Sequence, residues 1–263
     1  MDNLKSLVKA ATILDCFSTL DRKLTAAQIA TRTDIPRGTV HRILRTLRDL
    51  GLVDQDRDRD QYRLGMKLFE LGTTVLANMD LHREASASVE SLTRASGETV
   101  HLSVFDGQNS TVINRTDPGD GRVNTVVVLE SSPGHATASG KAALAYQSGA
   151  AIERFLARGL PRIAPNTITD PARLLAELET IRGQGYAVDD EELQTGTRCV
   201  GAPIRDMSGR VFAAISVSGR ADRFTPERIA VYADLVRHHA QAISLHLGYR
   251  PDAPGSAGLA ERA

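Results

Sequence analysis

The sequence predicts an α+β chain in which a small, mostly helical N-terminal part precedes a larger part built on an antiparallel sheet. Three observations support this fold class. Residues 24–65 contain two short helical patterns followed by a charged hairpin, residues 66–79 form one helical pattern with a broad apolar face, and alternating strands separated by helices begin at residue 99. Strands that meet through tight turns, with helices between hairpins, indicate an antiparallel sheet covered by helices. A chain of 263 residues with 41% apolar residues is long enough for about two domains, each with its own core.

The first helix is predicted from about Leu4 to Ser18, because apolar residues recur on one side of it. We expect that side to close a small N-terminal core. It comprises Leu4, Leu7, Val8, Ala11, Leu14 and Phe17.

A shorter helix is predicted to begin at Ala26. Thr25 is in the N-cap position and Gln28 stands three residues later, which is the pattern of a capping box. This helix must end near Thr33, because only Asp34 and Ile35 separate it from Pro36. The arrangement is helix, tight turn, helix, which is typical of proteins that present the second helix to the DNA major groove.

The next helix, opened by Pro36 in its first turn, has two unlike faces. One is an apolar stripe of Val40, Ile43, Leu44, Leu47 and Leu50, and the other carries Arg37, Arg42, Arg45 and Arg48 with Thr39 and His41. No acidic residue interrupts residues 37–48, so the exposed face is a row of cations and hydrogen-bond donors, as a phosphate-lined groove requires. The alternative is an ordinary helical hairpin with a solvated arginine face.

Two short strands, residues 52–55 and 61–64, flank the charged tip at 56–60 and form a hairpin directly after this helix. Residues 1–65 are therefore predicted to be a winged helix-turn-helix domain that binds double-stranded DNA. The predicted DNA-contacting residues are Thr25, Arg37, Gly38, Thr39, His41, Arg42 and Arg45, with Arg57 and Arg59 on the wing.

The formal net charge of zero hides an uneven distribution. Residues 1–65 hold 12 Lys and Arg against 9 Asp, a net charge of +3, and the remainder holds 20 against 23, a net charge of −3. The positive charge is concentrated on the predicted DNA-reading helix, so the overall balance does not exclude a nucleic-acid partner.

Residues 66–80 are predicted to be a linker helix and a dimer contact. Its apolar face, which comprises Leu68, Phe69, Gly72, Val75, Leu76 and Met79, is too broad for a helix that leaves a small domain alone, and a second copy of the chain would cover it. The alternative is that the helix packs only on its own domain.

The larger domain is predicted to span residues 81–248, followed by a Pro/Gly/Ala-rich tail at 249–263 that we expect to be disordered. Strands are predicted at 99–105, 111–114, 122–130, 199–205 and 211–218, and helices at 81–96, 139–147, 151–157, 171–182 and 225–247, the last with Thr225 as N-cap. In the strand at 211–218 the alternation places Ser216 and Ser218 on one face. Buried hydroxyls need hydrogen-bond partners, and either a polar ligand or the protein's own backbone and covering loop could supply them.

Four motifs in this larger part resemble those of the IclR-type bacterial transcription regulators, and the resemblance extends from Leu4 to about Leu247. They are residues 135–142 (HATASGKA), 185–192 (GYAVDDEE), 196–204 (GTRCVGAPI) and 213–219 (AAISVSG). The resemblance implies a GAF-like effector domain, a homodimer that pairs into a tetramer, and a small organic effector that modulates operator binding. It places Ala138 and Ser139 in the loop over the effector, and Glu191, Glu192, Cys199, Ala202 and Pro203 near the opposite wall, with Ser216 and Ser218 on the sheet.

Other kinds of site are not supported by the spacing of the residues. The two cysteines, Cys16 and Cys199, lack metal-type spacing, and we expect no metal and no cofactor. Gly134 and Gly140-Lys141 do not have the spacing of a phosphate-binding loop, and Ser139-Gly140-Lys141 is one residue short of a Ser-x-x-Lys nucleophile, so Lys141 is expected to point to solvent. The acidic run 189–192 is expected to form a solvated or ligand-gating loop.

No apolar stretch is long enough to span a membrane and no signal peptide is recognised, so a cytoplasmic protein without a membrane partner is expected. The predicted function is that of an effector-responsive DNA-binding regulator and not of an enzyme. The alternative is a GAF-type small-molecule sensor or hydrolase in which the winged helix mediates protein contacts. Both a small carboxylate and a compact aromatic acid remain open as the effector, and the sequence does not specify the operator or the sign of regulation.

Overall fold

The computed structural model describes residues 4–18, 21–56, 60–77, 80–119 and 123–251, with the backbone alone at residues 73–77 and 80. The chain divides into two compact units, residues 1–79 and 80–263. The predicted wing tip at Arg57 and Arg59 and the tail beyond residue 251 lie outside the described residues. Each unit has its own core, and together they confirm the predicted α+β fold class.

In its described residues the first unit has four helices and a small antiparallel sheet with strand order β1-β3-β2. The helices are α1 (Lys5–Leu14), α2 (Ala26–Thr33), α3 (Arg37–Asp49) and α4 (Met66–Ala77), and the strands are β1 (Leu24–Thr25), β2 (Val53–Asp56) and β3 (Gln61–Leu64). The two strands of the wing pair in register from Val53 opposite Leu64 to Asp56 opposite Gln61. The predicted winged helix-turn-helix is confirmed.

The turn between α2 and α3 forms as its residues require. The Thr25 hydroxyl accepts a hydrogen bond from the Gln28 N–H, and the Gln28 side chain accepts one from the Thr25 N–H, so the capping box is complete. Asp34 ends α2 in the left-handed conformation, with φ of 53°. Pro36 is the N-cap of α3, one residue before the position predicted for it, and its carbonyl accepts from Thr39 and Val40.

The core of the first unit corrects the prediction for α1. The helix ends at Leu14, and Leu4, Leu7 and Val8 are exposed. Ile13 and Phe17 are buried in the core, and Ala10, Leu14 and Cys16 pack against it half-buried, so only Leu14 and Phe17 of the predicted stripe lie where they were expected. The remaining buried residues are Leu24, Ala26, Ile29, Ile35, Val40, Leu44, Leu47, Val53 and Tyr62.

The second unit is a six-stranded antiparallel sheet with helices on it, and its strand order is β6-β5-β4-β9-β8-β7. The strands are β4 (Thr99–Phe105), β5 (Asn109–Pro118), β6 (Val123–Pro133), β7 (Ala187–Asp190), β8 (Thr197–Arg205) and β9 (Val211–Arg220). The helices are α5 (Asp80–Ser96), α6 (Ala138–Leu144), α7 (Gly149–Ala157), α8 (Pro171–Gln184) and α9 (Pro226–His246). Strand β7 corrects the sequence analysis, which interpreted its residues as part of an acidic loop.

The helices of this unit form two groups. α5 and α9 pack on each other and on the sheet, and α6 packs on β8, β9 and α8. Along β8, Gly201 faces α6, whereas Val200 and Ala202 are buried on the other side of the strand, where α9 packs.

Two glycines allow close packing at the start of α6, Gly201 against the sheet and Gly140 against the turn after β6. A Cβ on Gly201 would lie 3.2 Å from the backbone of Ala138 and Ser139, and a Cβ on Gly140 would lie 2.3 Å from the Gly134 carbonyl oxygen. Thr137 caps the helix by accepting from the Gly140 N–H. The first turn of α6 is therefore fixed over the middle of the sheet.

Candidate functional site

The outer face of α3 is a cationic surface whose side chains make few hydrogen bonds or ion pairs with the described residues. Val40, Leu44 and Leu47 fix the helix to the core. On the opposite face the side chains of Arg37, His41, Arg42 and Arg45 are exposed, and within the described part of the chain they make no hydrogen bond or ion pair. Four side chains that donate hydrogen bonds or carry positive charge are thus available to an external partner.

Arg48, at the end of the same face, differs from these four residues. Its guanidinium donates to the Gln55 side chain on β2 at 2.8 Å and lies 3.7 Å from the Asp49 carboxylate. Part of its hydrogen-bonding capacity is therefore used in holding α3 to the wing.

Three other residues predicted to contact DNA differ in how accessible they are. Thr25 is half-buried, and its hydroxyl forms hydrogen bonds with Gln28 that cap α2. This hydroxyl is therefore already used within the protein. Thr39 is also half-buried. Gly38 is exposed and nothing lies within 4 Å of the position of a Cβ, so the protein's own packing does not require a glycine there.

In the second unit a cavity of about 430 Å³ lies between the sheet, the start of α6 and the segment after β7. Two rows of side chains cross the sheet beneath it, because residues paired in register share a face. Arg115, His101 and Ser216 form one row on β5, β4 and β9. The other row runs from Thr99 through Ser218 and Cys199 to Asp189, on β4, β9, β8 and β7.

Five of the predicted effector-site residues line this cavity: Ala138, Ser139, Cys199, Ser216 and Ser218. Two of their polar groups are paired, since the Ser139 hydroxyl bonds to the Ser110 hydroxyl at 2.9 Å and the Cys199 thiol donates to the Ser218 hydroxyl at 3.3 Å. The Ser216 side chain is 4% exposed, and no described residue forms a hydrogen bond with its hydroxyl. A hydroxyl that faces a cavity from an otherwise buried residue, with no partner among the described residues, is suited to a polar ligand.

The titratable groups at the base of the cavity are shifted mainly by burial. Burial, assisted by the charge of Arg115, lowers the pKa of His101 to about 4, so the imidazole is neutral at physiological pH. Burial and the nearby Asp189 raise the pKa of the Cys199 thiol to about 12. Burial raises the pKa of Asp189 to about 7, and the Glu192 backbone N–H, which donates to this carboxyl, only partly offsets the shift.

Four predicted effector-site residues do not line this cavity. Ala202 follows Gly201 on β8, so it lies on the opposite face of the sheet from the cavity. Pro203 is two residues after Gly201, on the same face but beyond the cavity lining. Glu191 has a left-handed backbone, with φ of 59°, and its carboxylate accepts from the Gly196 N–H. Glu192 is buried against Lys141 instead.

Comparison with known proteins identifies the family. A family model described as the IclR helix-turn-helix domain matches residues 6–57, and one described as the bacterial transcriptional regulator IclR C-terminal domain matches residues 73–245. The chain belongs to the IclR family of bacterial transcriptional regulators.

Individual IclR-family proteins are similar over nearly the whole chain. The transcriptional regulator KdgR of Escherichia coli K12 is 33% identical over 250 residues, which is 94% of each chain. The transcriptional repressor AllR of Klebsiella pneumoniae is 31% identical over 95% of this chain and 92% of its own. The crystal structure of an IclR homolog from Microbacterium hydrocarbonoxydans, complexed with 4-hydroxybenzoate, has a TM-score of 0.68 and 26% identity over 92% of this chain and 98% of its own.

The IclR-family motif at 135–142 contains one residue whose environment was predicted incorrectly. Lys141 was expected at the surface but is 0% exposed. Its ammonium group lies 2.5 Å from Glu192 and 3.2 Å from Glu177, because every residue of the short helix α6 is buried between the sheet and α8. Lys141 thus links α6 to the segment after β7 through buried ion pairs.

The cavity lining also includes four residues that were not predicted from the sequence: Thr99, His101, Arg115 and Asp189. The alternation of Thr99 and His101 along β4 was a usable signal, since both fall on one face. Asp189 belongs to a run of four acidic residues that was interpreted as a loop. Because the run begins in the short strand β7, Asp189 is buried on one face of the strand and its neighbour Asp190 is exposed on the other.

The described residues of this IclR-family chain contain no group of three or more His, Cys, Asp or Glu arranged to hold a metal ion. Within the same residues no helix has the length and apolar character needed to cross a bilayer.

Proposed function

We propose that this protein is a DNA-binding repressor, at least dimeric, whose operator affinity is modulated by a small organic acid bound in the cavity of its second unit. One observation carries the proposal: α3, which Val40, Leu44 and Leu47 fix to the core, presents Arg37, His41, Arg42 and Arg45, and no described residue pairs with their side chains. The repressor assignment is supported by AllR, a relative named a transcriptional repressor.

The position of each side chain along α3 suggests its role. Residues near the start of a recognition helix reach base edges, whereas those near its end contact phosphates. Arg37, His41 and Arg42 lie in the first two turns and are therefore proposed to read bases. Arg45 follows one turn later and Arg48 is partly held by Gln55, so both are proposed to contact the phosphate backbone at most. The open space at Gly38 would let a DNA backbone approach the helix closely.

The cavity supports a compact polar effector. Its volume of about 430 Å³ is in the range of sites for small organic molecules. It offers the neutral His101 imidazole and the Ser216 hydroxyl, which has no partner among the described residues. The guanidinium groups of Arg115 and Arg220, which pair with Asp117 and Asp222, are also on its lining. These groups suit an organic acid that carries hydroxyl or carbonyl oxygens, and the Microbacterium homolog was crystallised with 4-hydroxybenzoate.

Fluorescence anisotropy with the chain's own upstream intergenic DNA tests this proposal. We expect binding that is tighter than to random DNA of the same length and that weakens steeply with salt, because phosphate contacts release counterions. Addition of an organic acid is expected to change the affinity for the specific DNA. Equal affinity for both DNAs, with no response to any acid, would instead favour a sensor whose winged helix contacts another protein.

A further inference from the structure

Asp189 occupies an enclosed position at the end of one row of cavity side chains. It is 2% exposed, lines the cavity, and pairs in register with Cys199. One carboxyl oxygen, Oδ1, accepts from the N–H groups of Glu192 at 2.7 Å and Leu193 at 3.4 Å. Within the described residues, no cationic side chain forms an ion pair with this carboxyl group.

The groups that face Asp189 come from every element packed around it. The Cys199 thiol on β8 lies beside it and donates to Ser218 on β9. Glu192, in the segment after β7, contributes a negative charge, and Lys141 on α6 contributes a positive one. The Lys141 ammonium is already bound by Glu192 and Glu177, so it offsets the charge of Asp189 only in part.

Asp189 differs from its neighbours His101 and Cys199 in the pH at which it titrates. With a pKa of about 4 for His101 and about 12 for Cys199, neither group changes its charge near neutral pH. Asp189, with a pKa of about 7, does.

The cavity lining also carries Arg115 on β5, Arg220 on β9 and Glu130 on β6, and among the described residues both arginines pair with aspartates other than Asp189. A carboxylate ligand that enters beside an ionised Asp189 therefore adds a second negative charge at that end of the cavity. If Asp189 is protonated, the repulsion is absent and its O–H can donate to the ligand.

We propose that the cavity takes up an organic acid as its anion together with one proton, which Asp189 carries. This inference rests on the proposed function, since it assumes that an organic acid binds in this cavity. The proton comes from solvent and is bound at the Asp189 carboxylate, and no covalent bond to the ligand forms. Acidification therefore strengthens the effector response.

Calorimetric titration of the full chain with benzoate, 4-hydroxybenzoate, glyoxylate and pyruvate tests the proposal. We expect at least one acid to bind about tenfold more weakly at about pH 8 than at about pH 6, because the binding-competent protonated form becomes scarce above its pKa. Titrations in buffers of different ionisation enthalpy should show an uptake of about one proton per site at the higher pH.

Asp189→Asn and Asp190→Asn form a matched pair of variants. The first keeps the shape of the carboxyl group without its charge, so it should bind the acid equally well at both pH values and without proton uptake. The second changes the exposed neighbour on β7, which pairs with Arg198 outside the cavity, and should retain the parent's pH dependence.

The possible outcomes separate the two proposals. Binding with pH-independent affinity and no proton uptake in the parent would overturn this inference and leave the proposed function intact. Failure of every acid to bind would contradict the proposal that the effector is an organic acid, and it would also overturn this inference. If Asp189→Asn does not fold, carbon-detected NMR of the parent can follow the Asp189 carboxyl directly. Its titration near neutral pH and a rise of its pKa with the acid are expected, and a carboxylate that stays ionised throughout would overturn the inference.

Discussion

The arginines of α3 have similar sequence surroundings and different contacts in the structure. Arg42 is exposed and unpaired within the described residues, whereas Arg48 is bound to Gln55 on the wing. We expect Arg42→Ala to cost about 1–3 kcal/mol of binding free energy on the cognate operator and to relax specificity there. Arg48→Ala is the matched control and should weaken specific and random DNA binding alike, and only slightly. Anisotropy titrations with both DNAs provide the measurement, and an equal loss on both for Arg42→Ala would make it a phosphate contact.

Ser216 and Ser218 allow a second test at the scale of single residues. Both hydroxyls line the cavity in the second unit, so their removal should not affect DNA affinity in the absence of effector. The double variant Ser216→Ala, Ser218→Ala should lose about 1–3 kcal/mol of effector affinity through the lost hydrogen bonds. The measurement is the effector concentration that gives a half-maximal change in operator binding. Loss of DNA binding without any ligand would instead show that the serines support the fold.

At the scale of elements, the buried cluster around Lys141 connects α6 to the segment that follows β7. Removing the charge of Lys141 would leave Glu192, whose Oε2 already has no hydrogen-bond partner among the described residues, as an uncompensated buried anion. We therefore expect Lys141→Met to lower the free energy of unfolding by about 3–5 kcal/mol, as measured by urea denaturation.

Two control variants make this prediction specific. The double variant Lys141→Met, Glu192→Leu replaces the close buried pair by apolar side chains and should recover most of the lost stability. Lys67→Met breaks the exposed Lys67–Glu70 pair on α4 and should change stability by less than about 1 kcal/mol. Equal effects of Lys141→Met and Lys67→Met would mean that the buried cluster does not hold the two segments together.

At the scale of the whole molecule, α4 supports the predicted self-association. On the predicted apolar face Phe69 is 65% exposed and Leu68 is half-buried, and Met66, one turn before Phe69, is 68% exposed. We expect the chain to sediment as a dimer or a larger assembly at micromolar concentration, because exposed apolar surface of this kind marks an interaction site. Leu76→Asp, on the predicted apolar face, should shift it toward monomer and weaken operator binding through lost avidity. A monomeric parent protein would contradict the proposal.

The sequence alone determined the features that depend on neighbouring residues. The capping box of Thr25 and Gln28 and the N-cap at Thr225 are present at the predicted positions, because capping hydrogen bonds join residues three apart. The position of α3 and the shared face of Ser216 and Ser218 follow equally from helical and strand periodicity.

The tertiary structure alone decided which residues are buried and which ones meet. The apolar stripe of α1 is largely exposed and Lys141 is fully buried, since burial depends on what distant segments of the chain cover. In the same way, Asp189 joins Cys199, Ser218 and Thr99 in one row only because β7, β8, β9 and β4 are neighbours in the sheet. Local patterns specify the direction of a side chain within its own element, whereas the pairing of elements far apart in the chain determines the cavity that it enters.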